Sequence, residues 1–151
     1  MSEIIRIAEK EIGQTEKPIN TNKTKYGKWF GFDGVAWCGM FVSWCYAQAG
    51  FQLPKIGFSK GYAGCQTAVA YFQKNNQITK EPEAGDIVFF DWNKDGRFDH
   101  TGIYVKKIDS IYFETIEGNT AVGNDSNGGQ VMKRKRSLLV GNVIFVKPII
   151  S

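Results

Sequence analysis

Cys38, His100, Glu117 and Asn119 are the residues whose types and order along the chain could carry nucleophilic chemistry. A thiol attacks carbonyl carbon as the thiolate, and an ordinary free cysteine is only about 3% thiolate at pH 7. A helix N-terminus and a neighbouring imidazolium both raise that fraction. His100 is the only histidine, so it is the one imidazole able to serve as base. A base needs an orienting partner. Glu117 ends an apolar stretch, and Asn119, two residues on, shares its face if the strand continues. Glu114 is the competing carboxylate, but alternation puts it on the opposite face. Each residue also has a plainer reading. Cys38 suits a small buried hydrophobe, His100 a structural histidine, and Glu117 a strand-end charge before a Gly-Asn turn. The order Cys, His, Glu, Asn favours chemistry.

These side chains need positioning elements. Trp37–Tyr46 is uncharged and reads as the opening of a buried helix over 37–49 that stops at Gly50. Ser2–Ile12 reads as an amphipathic helix with Ile4, Ile5, Ala8 and Ile12 on one stripe and Ser2 as N-cap. Gln14–Gly34 reads as a long irregular segment whose Tyr26, Trp29, Phe30 and Phe32 pack it down or line a cleft. Tyr62–Asn75 reads as a second amphipathic helix, with Cys65, Val69 and Phe72 on one face. From Asp86 the pattern shifts to strands at 86–91, 101–106, 110–116, 130–136 and 143–147. Helices before strands predict an α+β fold with an antiparallel sheet.

The chain has 151 residues, 42% hydrophobic and 14% aromatic, which suits one globular domain over 1–151. A net charge of +4 and a pI near 8.9 are too mild to imply nucleic acid and suit an anionic surface. The start, Met1 to Arg6, does not read as a signal peptide. No run of about 18 apolar residues predicts membrane insertion. Synthesis in the cytoplasm and a monomer are the expectations. Cys38 and Cys45 lie roughly 10 Å apart by helical rise, too far for a disulfide. With Cys65 they are read as reduced thiols, Cys45 and Cys65 buried.

Four segments in order are similar to one family: Trp37–Trp44, Gly85–Phe90, Asp99–Val105 and Ile116–Asn119. Together they resemble the CHAP family of cysteine, histidine-dependent amidohydrolases/peptidases, common in phage endolysins and bacterial autolysins. The Tyr26–Gly31 segment resembles the approach to the cysteine in endolysin members. The resemblance implies a papain-like (NlpC/P60-like) α+β fold, with N-terminal helices packed on a C-terminal antiparallel sheet. It implies peptidoglycan as substrate, Cys38 as nucleophile, His100 as base, Glu117 as orienter, Asn119 as a fourth polar member, and no required cofactor. The related NlpC/P60 family ranks second, because its cysteine usually follows Asp and precedes Ser. Two positions depart from the pattern. Gly39 stands where Ala is common and is read as giving substrate room. Asp33 stands where Asn is expected, either capping the helix or pointing into the site. Trp29, Trp37 and Trp92 are candidates to wall the cleft, with core packing the favoured reading for each.

Two further motifs stand apart. Asp91, Asn93, Asp95 and Gly96 match the first half of an EF-hand loop, but its twelfth position is Gly102 and not Glu. Asp91, Asn93, Asp95 and Asp99 remain a candidate structural calcium turn, against a turn held by Asx hydrogen bonds. Lys133–Arg136 reads as an exposed basic strand edge in preference to a nuclear signal. Outside the enzyme class, a catalytically silent wall-binding module and a calcium-dependent structural protein are the alternatives.

Overall fold

The computed structural model describes residues 2–151. Four helices come first: α1 (Glu3–Glu11), α2 (Lys25–Phe30), α3 (Cys38–Gln48) and α4 (Cys65–Lys74). Six strands follow: β1 (Ile78–Thr79), β2 (Ile87–Asp91), β3 (His100–Lys107), β4 (Tyr112–Thr120), β5 (Gln130–Ser137) and β6 (Asn142–Val146). They form one antiparallel sheet in the order β1-β6-β2-β3-β4-β5. The α+β arrangement expected from the sequence is therefore present. Among the described residues, no helix is long and apolar enough to cross a membrane.

The helices show how local chemistry sets their ends. Ser2 Oγ accepts from the Ile4 N–H at 3.1 Å and starts α1. Ile4, Ile5 and Ala8 are buried, but the inward stripe continues with Glu11 and leaves Ile12 exposed. Glu11 goes inside because Tyr26 donates to it at 2.7 Å and Lys25 pairs with it at 2.6 Å. The segment expected to be irregular holds α2, capped by Thr24 and closed by Gly31 at φ 95°. Only Gly adopts such a φ without strain.

α3 has no polar face, and Cys38 to Ser43 are all buried. It packs on α1, α2, β3 and β4. Gly118 on β4 makes that approach possible, since a Cβ there would meet the Phe41 side chain at 2.6 Å. β2 is buried on both faces. Ile87 and Phe89 join the core under the helices, while Val88 and Phe90 join Tyr104, Phe113 and Phe145 on the other face. β3 thus pairs with a strand that is buried on both faces, which suits a site needing fixed geometry.

Candidate active site

Cys38 is the first residue of α3, so its backbone N–H has no intrahelical acceptor. α1 and α2 carry side-chain caps, whereas α3 has none. Its N-terminal amides are therefore not occupied by a capping side chain. The thiol is 4% exposed. Its nearest sulfur is Cys65 Sγ, 3.9 Å away.

His100 opens β3 and is fully buried. Its Nε2 lies 2.8 Å from Glu117 Oε1. Its Nδ1 is buried and has no hydrogen-bond partner. A carboxylate accepts from Nε2–H, so the neutral ring is held as the tautomer whose Nδ1 is an open acceptor.

Glu117 owes its place to three neighbours. Antiparallel pairing of Ile103 with Ile116 sets Glu117 beside Gly102. A Cβ on residue 102 would lie 2.5 Å from Glu117 Cγ, so bare glycine leaves the path to His100 open. Thr115 donates to Oε2 at 2.6 Å. Arg136 donates to both oxygens, Nε to Oε2 at 2.8 Å and Nη2 to Oε1 at 2.6 Å. Arg136 also binds Asp125 at 2.8 Å. The carboxylate thus has four bonds, which suits a charge with no exposure.

The electrostatics follow from these contacts. Cys65 beside the sulfur, and then His100, hold the Cys38 thiol well below its usual range against the opposing effect of burial. No hydrogen bond joins Cys38 to His100 Nδ1 in this geometry, so the imidazole acts on the thiol as a nearby charge. Burial works against a charged His100, but Cys38 and Glu117 outweigh it and raise the ring to about 9. Burial also works against Glu117, but Arg136 and His100 lower it to about 2. All three effects favour a thiolate–imidazolium pair.

Asn119 makes no side-chain hydrogen bond to these residues. β4 does continue to Thr120, but a register shift follows Glu117 and Asn119 takes φ 60°. Strict alternation is lost, and the expected shared face with it. Its Nδ2 donates to Asn127 Oδ1 at 3.1 Å and its Oδ1 accepts from Gly129 N–H at 3.0 Å. Asn119 braces the loop that carries Asp125.

The tryptophans separate. Trp37 is fully buried, stacks on Tyr26 and donates to Glu16 at 3.0 Å. It is a core residue and does not wall a cleft. Trp29 is half-buried under Lys60, whose Nζ lies 4.9 Å from its ring. Trp92 is half-buried and stacks on His100 at 5.4 Å, with Arg136 over it at 4.8 Å. It therefore shields the imidazole. Asp33 Oδ1 accepts from Thr24 and Gly34 N–H, at 3.1 and 3.0 Å. That braces the start of α2 and does not cap α3. Gly39 offers no substrate room: a Cβ would meet the Ala63 carbonyl at 2.9 Å and the Tyr62 ring at 3.0 Å.

Asp91 turns inward and accepts from Asp95 N–H at 3.3 Å and Gly96 N–H at 2.9 Å. Asp95 accepts from Arg97 N–H at 2.9 Å. Among the described residues, no group of three His, Cys, Asp or Glu is placed to hold a metal. In this geometry the loop is an Asx-stabilised turn, with Asp91 engaged by amides.

Sequence reasoning missed Arg136 and Cys65. Arg136 sits in the basic run, where Lys133 and Lys135 are exposed as expected but Arg136 is only 8% exposed. Alternation signalled that the run would split between faces. Only strand register shows that one face leads to Glu117. Cys65 carried a helix-face signal and nothing more.

A search of curated proteins found no match for the chain. The CHAP domain family model matches residues 30–119. That span starts on the last residue of α2 and includes Cys38, His100, Glu117 and Asn119. CHAP domains are hydrolases of the peptidoglycan amidase or peptidase type. With more than half of its length covered by that match, the chain belongs to the CHAP domain family.

Proposed function

We propose that this chain hydrolyses an amide or peptide bond of bacterial peptidoglycan, as an N-acetylmuramoyl-L-alanine amidase or a stem or cross-bridge endopeptidase. The observation that carries the reading is the His100 ring. Glu117 fixes Nε2, and Nδ1 is left buried, unpartnered and available to the thiol proton. A merely structural buried histidine would have both nitrogens satisfied.

Cys38 thiolate attacks the carbonyl carbon. The negative charge develops on the carbonyl oxygen near the uncapped amides of α3, with the Cys38 N–H as first donor. His100 gives its proton to the leaving amine, and the acyl-enzyme forms. Neutral His100 then takes a proton from water, which attacks the thioester and releases the acid. Glu117 and Arg136 touch no reacting atom. They keep the ring oriented and the carboxylate ionised. Asn119 supports the site through the 127–129 loop. The reaction needs no cofactor. The exposed Lys133 and Lys135 on edge strand β5 suit an anionic wall polymer. The protein acts as a monomer on the bacterial wall.

Purified peptidoglycan incubated with wild type and Cys38→Ala tests this. Wild type should release new amine termini or free stem peptides, and Cys38→Ala should release none. Equal solubilisation by both would leave a wall-binding module and sink the hydrolase. Mass spectrometry of the fragments assigns the bond.

A further inference from the structure

All three cysteines are free, yet they are not equivalent. Cys45 is sealed inside α3, and burial raises its thiol. Cys65 is the first residue of α4, and its sulfur faces Cys38 at 3.9 Å. The fold works to make this contact. Gly39 has no Cβ, which lets the Tyr62–Ala63 backbone close on the start of α3. Ser43 then pins that segment, accepting from the Tyr62 N–H at 3.2 Å and donating to the Gly39 carbonyl at 2.9 Å. Gly61 must also be bare, since a Cβ there would lie 2.5 Å from Ser43 Oγ. Two residues further on, this packing delivers Cys65 to the thiol at the helix start.

We propose that Cys38 and Cys65 form a redox modification site, at which a hydroperoxide oxidises Cys38 and Cys65 closes a reversible disulfide. Cys38 thiolate attacks one peroxide oxygen, the O–O bond breaks, and hydroxide leaves. Cys38 is now a sulfenic acid, two electrons more oxidised. The Cys65 sulfur attacks the sulfenic sulfur. The S–S bond forms, the S–O bond breaks, and the Cys65 proton leaves with the hydroxyl as water. The sum is two thiols and one hydrogen peroxide giving one disulfide and two waters. A dithiol reductant reverses it by exchange.

The division of labour is set by the pair. Its proton belongs on Cys65, whose thiol is raised by Cys38, by burial and by nearby Asp99. Cys38 is thus the attacking sulfur and Cys65 the resolving one. The sulfurs must close from 3.9 Å to about 2.05 Å. Gly64 before Cys65 is exposed and gives α4 no side-chain cap, so no capping bond opposes that movement. The two residues are 4% and 7% exposed and stand at helix starts, so the pair is not sealed as Cys45 is at 0%. Under the hydrolase reading, the disulfide removes the nucleophile and spares it from irreversible oxidation. The chemical step itself does not depend on that reading.

The test treats the intact wild-type chain with hydrogen peroxide, counts free thiols and maps peptides without reductant. Free thiols should fall from three to one, with a Cys38–Cys65 linked peptide two hydrogens lighter, and dithiothreitol should restore all of them. Cys65→Ala should instead carry sulfinic or sulfonic acid on Cys38, which dithiothreitol does not reverse. Three wild-type results overturn the proposal: sulfinic acid on Cys38 with no linked peptide, a link to Cys45, or no thiol loss in excess peroxide. The wild-type map decides even if the variant does not fold. It reads no wall hydrolysis, so failure of the proposed activity would leave its result intact.

Discussion

Arg136 grips Glu117 through both carboxylate oxygens, at 2.6 and 2.8 Å, with neither residue more than 8% exposed. Such a pair need not add stability over an apolar core, but breaking it strands a charge. Here the stranded charge would be the carboxylate that orients His100.

Arg136→Met should therefore cost about 3–5 kcal/mol in urea unfolding at neutral pH. Arg136→Lys restores the charge but not the parallel bonds, so it should recover part of the stability and less of the rate. The pH dependence has a defined sign. Glu117 is lowered to about 2 from an ordinary 4.5. Its stabilisation is present above pH 4.5 and is lost as pH falls toward 2. In Arg136→Met the carboxyl should titrate higher, so less stability should be lost between pH 4.5 and 2 and the acid limb should flatten. An unchanged acid limb would show that Arg136 does not hold Glu117 ionised.

The rate should be bell-shaped in pH. In the proposed mechanism the active pair is Cys38 thiolate with His100 imidazolium. It exists above the Cys38 pKa, which is held well below the usual thiol range, and below the His100 value of about 9. Wall hydrolysis should rise at acid pH and fall near 9. His100 is raised from 6.5, so its contribution to stability is complete below pH 6.5 and is lost as pH rises through about 9. Glu117→Gln should lower the alkaline limb, because the ring loses its anionic partner. A limb that stays near 9 in Glu117→Gln would assign it to another group.

Gly102→Ala puts a methyl where only 2.5 Å separates it from Glu117 Cγ. Overpacking of this kind costs about 1–3 kcal/mol. The rate should drop further than stability, since the displaced carboxylate is the one on His100. Thermal unfolding and hydrolysis measured together separate the two effects. A rate loss no larger than the loss of folded protein would argue against a special path between strands.

The catalytic candidates were legible because their types are scarce. One histidine, one cysteine at a helix start and a carboxylate at a strand end leave few combinations. The helices were legible through caps and periodicity, as at Ser2. What escaped depends on register and close approach. Arg136 on β5 pairs with Phe113 on β4 and reaches along that strand to Glu117, and nothing local in Lys133–Arg136 announces this. Asn119 left the expected face because a bulge turned its backbone to φ 60°. Trp37 took the core role favoured over a cleft wall, and the Glu16 carboxylate that satisfies its N–H there had no local signal. Cys65 meets Cys38 because Gly39 is bare, a relation between residues 26 positions apart.

The loop before His100 offers a last prediction. Asp91 is fully buried and holds the turn through the Asp95 and Gly96 amides. Phe98 N–H donates to Gln66 Oε1 at 2.8 Å, tying the loop to α4. Both Asp91 oxygens already serve the turn without a metal. Asp91→Ala should thus destabilise by about 1–3 kcal/mol through the unsatisfied amides, and should slow hydrolysis because Trp92 and His100 flank the loop. Asp91→Asn keeps one acceptor oxygen and should lose less. Replacing calcium with a chelator should leave the wild-type melting temperature unchanged. A calcium-dependent rise that disappears in Asp95→Asn would instead make the loop a metal site.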